Sequence, residues 1–321
     1  MGKLVDILKI GKLKTCGDES SSIISPQKGI TPSPFLTFAG IRYLSLSDIV
    51  KSLKCSIVLN NSNGFAKITK GGATVQLTAG QSYILYQTSK IYLSHELKFN
   101  LGNILVSYDD YLKVLVPLLA INLIAEKTPV LKTIVLDPGH GGKDPGAINA
   151  RLNFSEKMLV LQMAMLLKAE LVKRGYAVIL TRETDSFVEL KDRPTKAGRA
   201  DLFVSLHLNS ATNSSAQGVE IFTLRRTKNF SGNTFNPWNL MAAYSVLSAF
   251  EKTTNFSNRG VKMAEFVVLK SLPCPGILVE LGFISNDAEA KKLADAAFQR
   301  KIIQGLADGI VKYGENLKKK R

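Results

Sequence analysis

The strongest signal in the chain is the stretch Ile134-Val135-Leu136-Asp137-Pro138-Gly139-His140-Gly141-Gly142. Its apolar half predicts an inner strand over Lys132–Leu136, and its Gly/Pro-rich half predicts the turn that follows. His140 therefore lies at the exit of a strand, which is where ligands and chemistry collect in α/β proteins. Taken alone, a histidine at such a position is more often a hydrogen-bonded structural residue.

A second histidine occupies an equivalent position in Ser205-Leu206-His207-Leu208-Asn209, at the end of a predicted strand over Leu202–Leu206. The whole chain contains only three histidines. Imidazole nitrogens are common ligands of zinc in proteins. Two of so few histidines at strand exits therefore predict a metal site.

Two carboxylates complete this pattern. A catalytic zinc site usually takes three protein ligands and leaves the fourth position for water. Glu156 is the best third ligand because it begins the helix after the His140 loop, although Asn153 to Glu156 also fits a capping box. Glu280 ends the apolar strand Ile277–Glu280, where a carboxylate is costly unless it is paired or functional. Beside zinc it could move protons as a general acid and base; a structural salt bridge is the alternative.

After residue 130 the chain alternates strands and helices, as expected for an α/β protein. We predict a three-layer domain with a twisted mixed central sheet flanked by helices, preceded by a small αβ module. Strands are predicted at Lys132–Leu136, Ala177–Thr181, Leu202–Leu206, Val219–Thr223, Phe266–Leu269 and Ile277–Glu280, and helices at Glu156–Arg174, Leu190–Ala197, Asn239–Lys252 and Asp287–Tyr313. In the first helix, an apolar stripe through Met158, Leu161, Met165 and Val172, with Met163 beside it, predicts core packing.

The domain organisation follows from shifts in composition. We predict a flexible leader over residues 1–40, a small αβ accessory module over 41–125, an α/β domain over 131–316 and a basic tail over 317–321. Within the module, strands are predicted at Ser56–Leu59, Phe65–Thr69, Ala73–Leu77 and Ser82–Tyr86. Two helical segments of the module look related, because Ser45, Asp48, Lys51 and Leu53 match Ser107, Asp110, Lys113 and Leu115 at constant spacing.

Composition limits the classes of protein and partner. The net charge of +16 favours an anionic partner such as nucleic acid, acidic lipid or a bacterial wall polymer. Nucleic-acid proteins usually show a known motif or a stripe of aromatic and basic residues, and the chain shows neither, so we expect no nucleic-acid partner. No apolar run approaches the ~20 residues of a transmembrane helix. Three cysteines give no disulfide framework, and the residues before Cys16 do not form a legible signal peptide.

Four segments together resemble the zinc-dependent N-acetylmuramoyl-L-alanine amidases of the amidase-3 family. They are Ile134–Gly142, Ser155–Lys157, Ala200–Asn209 and Val279–Asn286, with supporting matches at Gly218–Glu220 and Asn258–Lys262. They occur in family order over residues 131–316. More weakly, the N-terminal module is similar to the copper amine oxidase N-terminal-like domain, without the Cys/His cluster that would bind copper.

The amidase resemblance implies that His140, Glu156 and His207 bind Zn²⁺ and that Glu280 is the catalytic acid and base. It implies hydrolysis, by zinc-activated water, of the amide between N-acetylmuramic acid and L-alanine of the stem peptide. A zinc peptidase or carboxypeptidase acting elsewhere on the stem peptide, and a non-catalytic wall-binding protein, remain alternatives. The substrate would be peptidoglycan or muropeptides in the cell envelope or periplasm, with a role in cell wall degradation and cell division. An envelope activator stays open as a partner.

Overall fold

The computed structural model describes residues 35–60, 62–120, 128, 130–198, 200–225 and 236–319. The chain divides into two compact units, Met1–Lys127 and Thr128–Arg321. Most of the predicted leader and of the segment between the two units lies outside the described residues, as do the last two residues of the basic tail. The predicted domain bounds stay predictions.

The N-terminal unit is built mainly from short antiparallel strands. One sheet has the order β1-β2-β9-β8, and β3 to β7 form a meander in which each strand pairs with the next. The four predicted strands are confirmed as β3 to β6. The strands are β1 Leu36–Phe38, β2 Ile41–Ser45, β3 Ser56–Asn60, β4 Phe65–Lys70, β5 Ala73–Thr78, β6 Tyr83–Tyr86, β7 Ser89–Tyr92, β8 Lys98–Asn100 and β9 Asn103–Ser107; the helices are α1 Leu46–Leu53, α2 Tyr108–Asp110, a π-helical turn Tyr111–Leu115 and α3 Val116–Ala120.

The related helical segments of this unit begin in the same way. The Ser45 hydroxyl accepts the amide of Asp48 at 3.2 Å, and the Ser107 hydroxyl accepts the amide of Asp110 at 3.0 Å. Both serines thus satisfy a free amide at a helix N-terminus. The fully buried Asp110 carboxylate also accepts the backbone amides of Ser94 and His95. The sequence repeat therefore corresponds to a serine cap that is repeated at the start of two helices.

The C-terminal unit has the predicted fold class. Its mixed sheet has the order β13-β10-β14-β17-β15-β16; the first four strands are parallel, β15 is antiparallel to β17, and β16 is parallel to β15. Helices flank this sheet, and α8 packs against both α4 and α5. The strands are β10 Thr133–Pro138, β11 Ile148–Asn149, β12 Phe154–Ser155, β13 Ala177–Leu180, β14 Leu202–Asn209, β15 Val219–Leu224, β16 Asn258–Ala264 and β17 Gly276–Phe283; the helices are α4 Glu156–Lys173, a 3₁₀ turn Pro194–Ala197, α5 Asn236–Thr254, α6 Val267–Lys270, α7 Asp287–Ala294 and α8 Ala296–Lys318.

Three predicted elements of this unit are wrong in type or extent. The strand expected at Phe266–Leu269 is instead the short helix α6, and the edge strand is β16 just before it; a short apolar run does not distinguish the two states. The helix expected at Leu190–Ala197 is reduced to the 3₁₀ turn, because Pro194 has no amide hydrogen to continue a helix. The last predicted helix is two helices, because Asp295 ends α7 and its side chain accepts the amide of Phe298 to begin α8.

The stripe predicted for the core of α4 is exposed. Met158, Met165 and Val172 have exposed fractions of 50%, 43% and 51%, whereas Met163 is fully buried. Helix α4 is apolar on almost all sides, so the sequence did not identify the inward face. Among the described residues, no helix is both long and apolar enough to cross a membrane.

The two methionines of α4 give a matched test of this burial. Met163→Ala should lower the free energy of unfolding by about 2–5 kcal/mol, because it opens a cavity in the core. Met165→Ala should change it by less than about 0.5 kcal/mol, because the residue lies at the surface and its loss leaves no buried cavity. Urea unfolding measures both, and equal losses would contradict the observed orientation of α4.

Candidate metal centre and active site

The sheet brings the predicted site residues together at the carboxyl ends of its parallel strands. Strands β10, β14 and β17 are parallel neighbours, so their carboxyl ends meet there. His140 follows β10, and His207 lies near the end of β14 as the register partner of Glu280 on β17. Glu156 is the first residue of α4. The four residues predicted from sequence are thus delivered by three adjacent strands and one helix start.

The Glu156 carboxylate lies between the two imidazoles. Its Oε1 atom is 2.9 Å from Nδ1 of His207 and 3.2 Å from Nε2 of His140. The same oxygen accepts the amide of Leu208 at 3.0 Å, and Oε2 accepts the amide of Ala147 at 2.8 Å. Glu156 is only 3% exposed. These contacts hold two imidazoles and a carboxylate together.

The alternative role of Glu156 as a capping residue is not supported. The residue that caps α4 is Ser155, which makes no side-chain capping hydrogen bond. Asn153 lies two residues before this cap and has a positive φ of 54°. The described contacts of Glu156 reach the histidines, Leu208 and Ala147, so its side chain does not form the predicted capping box.

The charges of these groups are strongly coupled. Burial raises the pKa of Glu156, but hydrogen bonds with His140 and His207 outweigh it and hold the pKa far below its ordinary value. Burial lowers the pKa of His140, yet Glu156 and Asp144 outweigh it and raise the pKa to about 8. The pKa of His207 is also raised, because Glu156 and Glu280 overcome the effect of burial. The pocket therefore strongly favours positive charge beside Glu156.

Asp144 is a site residue that sequence reasoning missed. Its Oδ2 atom lies 2.8 Å from Nδ1 of His140, and its Oδ1 atom accepts the amide of Gly146. Histidines that bind metals almost always donate their other ring N–H to a carboxylate, carbonyl or water. Because Asp144 faces Nδ1, Nε2 is the ring nitrogen of His140 that faces Glu156. The available signal was a carboxylate four residues after the histidine.

Glu280 differs from the other carboxylates of the site in its hydrogen bonding. Among the described residues, its Oε2 atom is shielded from solvent and has no hydrogen-bond partner. Burial raises the pKa of Glu280; the charges of Glu156 and Glu220 raise it further against His207, and it reaches about 7. The described ion pairs do not include Glu280, so the salt-bridge alternative finds no support. A carboxyl group with a pKa near neutrality can accept and donate a proton.

Glu220 lies beside Glu280 as its register partner on the antiparallel strand β15. It is 4% exposed and accepts hydrogen bonds from Asn209 at 2.7 Å and Arg259 at 2.9 Å, as well as one from Lys262. The two cations compensate a carboxylate that would otherwise stand next to Glu280 in a low-dielectric region. The sequence had marked these segments as supporting matches without giving them a role.

The convergent residues fit a divalent metal ion. The donor atoms of His140, Glu156 and His207 all lie within 4.8 Å of one another, so the three residues could hold one ion. Two ligands bound to a tetrahedral zinc at about 2.1 Å lie about 3.4 Å apart, close to the separations of both imidazoles from Oε1 of Glu156. Two imidazoles and one carboxylate form a donor set that zinc uses in catalytic sites.

Residues 134–312 match the family described as N-acetylmuramoyl-L-alanine amidase. The chain belongs to this family. A probable cell wall amidase, LytH of Staphylococcus epidermidis, is 35% identical over 57% of this chain and 58% of its own length. The N-acetylmuramoyl-L-alanine amidase LytC of Bacillus subtilis is 31% identical over 88% of this chain and 56% of its own length. The chain thus matches little more than half the length of these two curated relatives.

A solved structure shares the fold of the C-terminal unit. It is the CwlD amidase from Clostridioides difficile in complex with the GerS lipoprotein, with a TM-score of 0.53 and 32% sequence identity. The match covers 58% of this chain and 99% of the CwlD chain. The predicted α/β fold class and membership of the amidase family are therefore confirmed for this part of the chain.

Gly146 and Gly175 allow a matched test of the space around the proposed ligands. A Cβ atom at Gly146 would lie 2.7 Å from Oε2 of Glu156 and from Cδ2 of His140, whereas one at Gly175 would meet nothing within 4 Å. Both glycines have positive φ, so either alanine should lower the free energy of unfolding by about 1–2 kcal/mol. Only Gly146→Ala should also reduce zinc content, measured by metal analysis. Equal zinc contents in the two variants would contradict the crowding of His140 and Glu156 by residue 146.

Proposed function

We propose that the protein hydrolyses the amide between N-acetylmuramic acid and L-alanine of the peptidoglycan stem peptide, with Zn²⁺ held by His140, Glu156 and His207. The observation that carries the proposal is the convergence of both imidazoles on Oε1 of Glu156, at 2.9 and 3.2 Å, beside the unpartnered oxygen of Glu280. The family match supports the choice of bond.

The metal and the protein residues would have different tasks. A bound zinc would polarise the amide carbonyl and acidify a water molecule. His140, Glu156 and His207 would hold the ion, and Asp144 would keep His140 oriented through its 2.8 Å contact with Nδ1. Because these contacts are already in place in the protein, little reorganisation is needed when the reaction begins.

Glu280 would carry the protons. Its Oε2 atom is free to take a proton from the attacking water, and the resulting carboxylic acid would deliver that proton to the leaving nitrogen. Its raised pKa suits both half-steps, because the group is neither a strong acid nor permanently protonated near neutral pH. One carboxyl group thus serves first as base and then as acid.

The substrate and setting follow from the same proposal. Peptidoglycan and its muropeptide fragments are the substrate class, and we place the reaction in the cell envelope or periplasm, in cell wall degradation and division. The net charge of +16 favours adsorption to anionic wall polymer. An envelope activator is a further proposed partner; the solved complex of CwlD with a lipoprotein is a precedent for a bound partner in a similar amidase. We propose a spacer or substrate-docking role for the N-terminal unit and its copper amine oxidase-like resemblance.

Two alternative functions compete with the amidase at this site. A zinc peptidase or carboxypeptidase would use the same residues on another bond of the stem peptide. A non-catalytic wall-binding protein would have no use for a buried, unpartnered carboxyl oxygen, so the Glu280 environment favours an enzyme. Digestion of purified peptidoglycan followed by mass analysis separates the three: the amidase releases whole stem peptides with free N-terminal L-alanine, the peptidase releases shorter fragments, and the binding protein releases nothing.

The metal site is tested by removing its ligands. His140→Ala and His207→Ala should each lose bound zinc and hydrolytic activity, because each removes one of three protein ligands. Glu156→Gln should weaken zinc binding as well, because the amide lacks the charge that compensates the ion. Metal analysis of the purified proteins measures occupancy, and full zinc content in the double histidine variant would refute the site.

The base is tested by Glu280→Gln, which keeps the shape of the side chain and removes its basic oxygen. The variant should retain zinc, because Glu280 is proposed to contact the water and not the ion. Release of stem peptides should fall by at least about 10²–10⁴-fold, the usual contribution of a general acid–base group. Glu265→Gln, at an exposed carboxylate outside the site, is the control. Near wild-type turnover of zinc-loaded Glu280→Gln would overturn the mechanism, and loss of zinc would make Glu280 a ligand.

A further inference from the structure

Two arginines of the C-terminal unit are almost completely buried. Arg182 is 3% exposed and Arg193 is 1% exposed. A buried guanidinium normally requires a carboxylate partner. Arg193 has one in the fully buried Asp137, at 2.9 Å, but the described ion pairs give none to Arg182. Two buried cations thus share one buried carboxylate, and burying a charge without a partner costs free energy. The hydrogen bonds of both arginines go to the backbone beside the proposed metal ligands.

Arg193 holds the loop that carries His140. Its Nη1 atom donates to the Pro138 carbonyl at 3.0 Å as well as to Asp137, and its Nη2 atom donates to the carbonyl of His140 itself at 2.8 Å. Its Nε atom donates to the carbonyl of Val188. The planar guanidinium thus fixes the backbone on both sides of Gly139.

Arg182 connects two proposed ligands. Its Nη2 atom donates to the carbonyls of Gly139 and Lys157, each at 2.8 Å. Gly139 directly precedes His140, and Lys157 directly follows Glu156. The Nη2 atom of Arg182 therefore links the backbone beside His140 to the backbone beside Glu156. Its Nε atom adds a bond to the Pro138 carbonyl at 2.9 Å.

The backbone at His140 explains why such support is needed. His140 has a φ of 61°, which is unfavourable for a residue with a Cβ atom. Such a conformation persists only when the surroundings over-determine it. The carbonyls of Gly139 and His140, on either side of this torsion, are the ones that the two arginines bind.

We infer that Arg182 and Arg193 are positioning residues that hold the His140 turn against the start of α4 and so set the separation of the metal ligands His140 and Glu156. The inference rests on the proposed metal site and goes beyond it, because both arginines act on the backbone beside the proposed ligands and are not ligands themselves. Arginine is required at both positions, since its fork reaches separate carbonyls at fixed angles that the single ammonium of lysine cannot reach together.

The test compares zinc affinity and cobalt absorption spectra in Arg182→Lys and Arg193→Lys with those of Arg174→Lys. Arg174 is a suitable control because it bonds Glu170 and Asp308 in the same unit, away from the ligands. Zn²⁺ affinity, measured by chelator competition, should fall about 10–100-fold in the first two variants, as for other groups that orient metal ligands. The Co²⁺ visible spectrum should change in the same two and stay unchanged in the control. A purely structural role would lower the stability of the metal-free protein without altering either metal readout.

The outcomes distinguish this inference from the proposed function. A wild-type protein that binds no Zn²⁺ refutes the metal site itself. A wild-type protein that binds Zn²⁺, with the same affinity and Co²⁺ spectrum in folded Arg182→Lys and Arg193→Lys, overturns the positioning role alone. If Arg193→Lys does not fold, the double variant Arg193→Met with Asp137→Asn removes both charges while Thr181 and Ser205 still contact residue 137. Wild-type metal affinity in that protein would likewise overturn the inference. Arg182→Lys is a separate test, because it leaves the ion pair of Asp137 with Arg193 intact.

Discussion

The site depends on one buried carboxylate. Removing the charge of Glu156 from water is costly unless hydrogen bonds and positive charge replace the lost hydration. Two imidazoles and the amides of Leu208 and Ala147 provide that replacement. These four groups belong to the His140 loop, to the residues after it and to the end of β14. The hydrogen bonds of the Glu156 carboxylate therefore require three parts of the chain to meet at the start of α4.

Support for this carboxylate comes from further buried polar groups. Asp144 orients one imidazole, and Asp137 accepts bonds from Thr181, Ser205 and Arg193. Each group is satisfied by the next, as buried polar networks require. Glu280 is the exception, because its Oε2 atom has no partner among the described residues. An unsatisfied buried oxygen in such a network calls for an explanation, and the proposed proton transfer supplies one.

The sequence predicted the residues whose position follows from strand exits and helix starts. His140, His207 and Glu280 end apolar runs, and parallel strands place such ends side by side, so their proximity needed no distance information. Arg182 and Arg193 were not predicted, because the carbonyls of the His140 loop that they bind lie more than 40 residues away in the chain and leave no local pattern. The exposed side of α4 and the short helix α6 were missed for a related reason. Apolar residues alone do not show which side of a helix faces the core, or whether a short apolar run forms a helix or a strand.

The strand order constrains how the protein is built. Strand β17 is the last strand of the described chain, yet it lies between β14 and β15, near the middle of the sheet of its unit. Its pairing with β14 is non-local, because β15, α5, β16 and α6 lie between them in the chain, and such pairing forms slowly. The two histidines and Glu156 precede β17 in the sequence, so they leave the ribosome before Glu280 does. On the proposed roles, a nascent chain that ends before β17 therefore carries all three metal ligands and lacks the acid–base group.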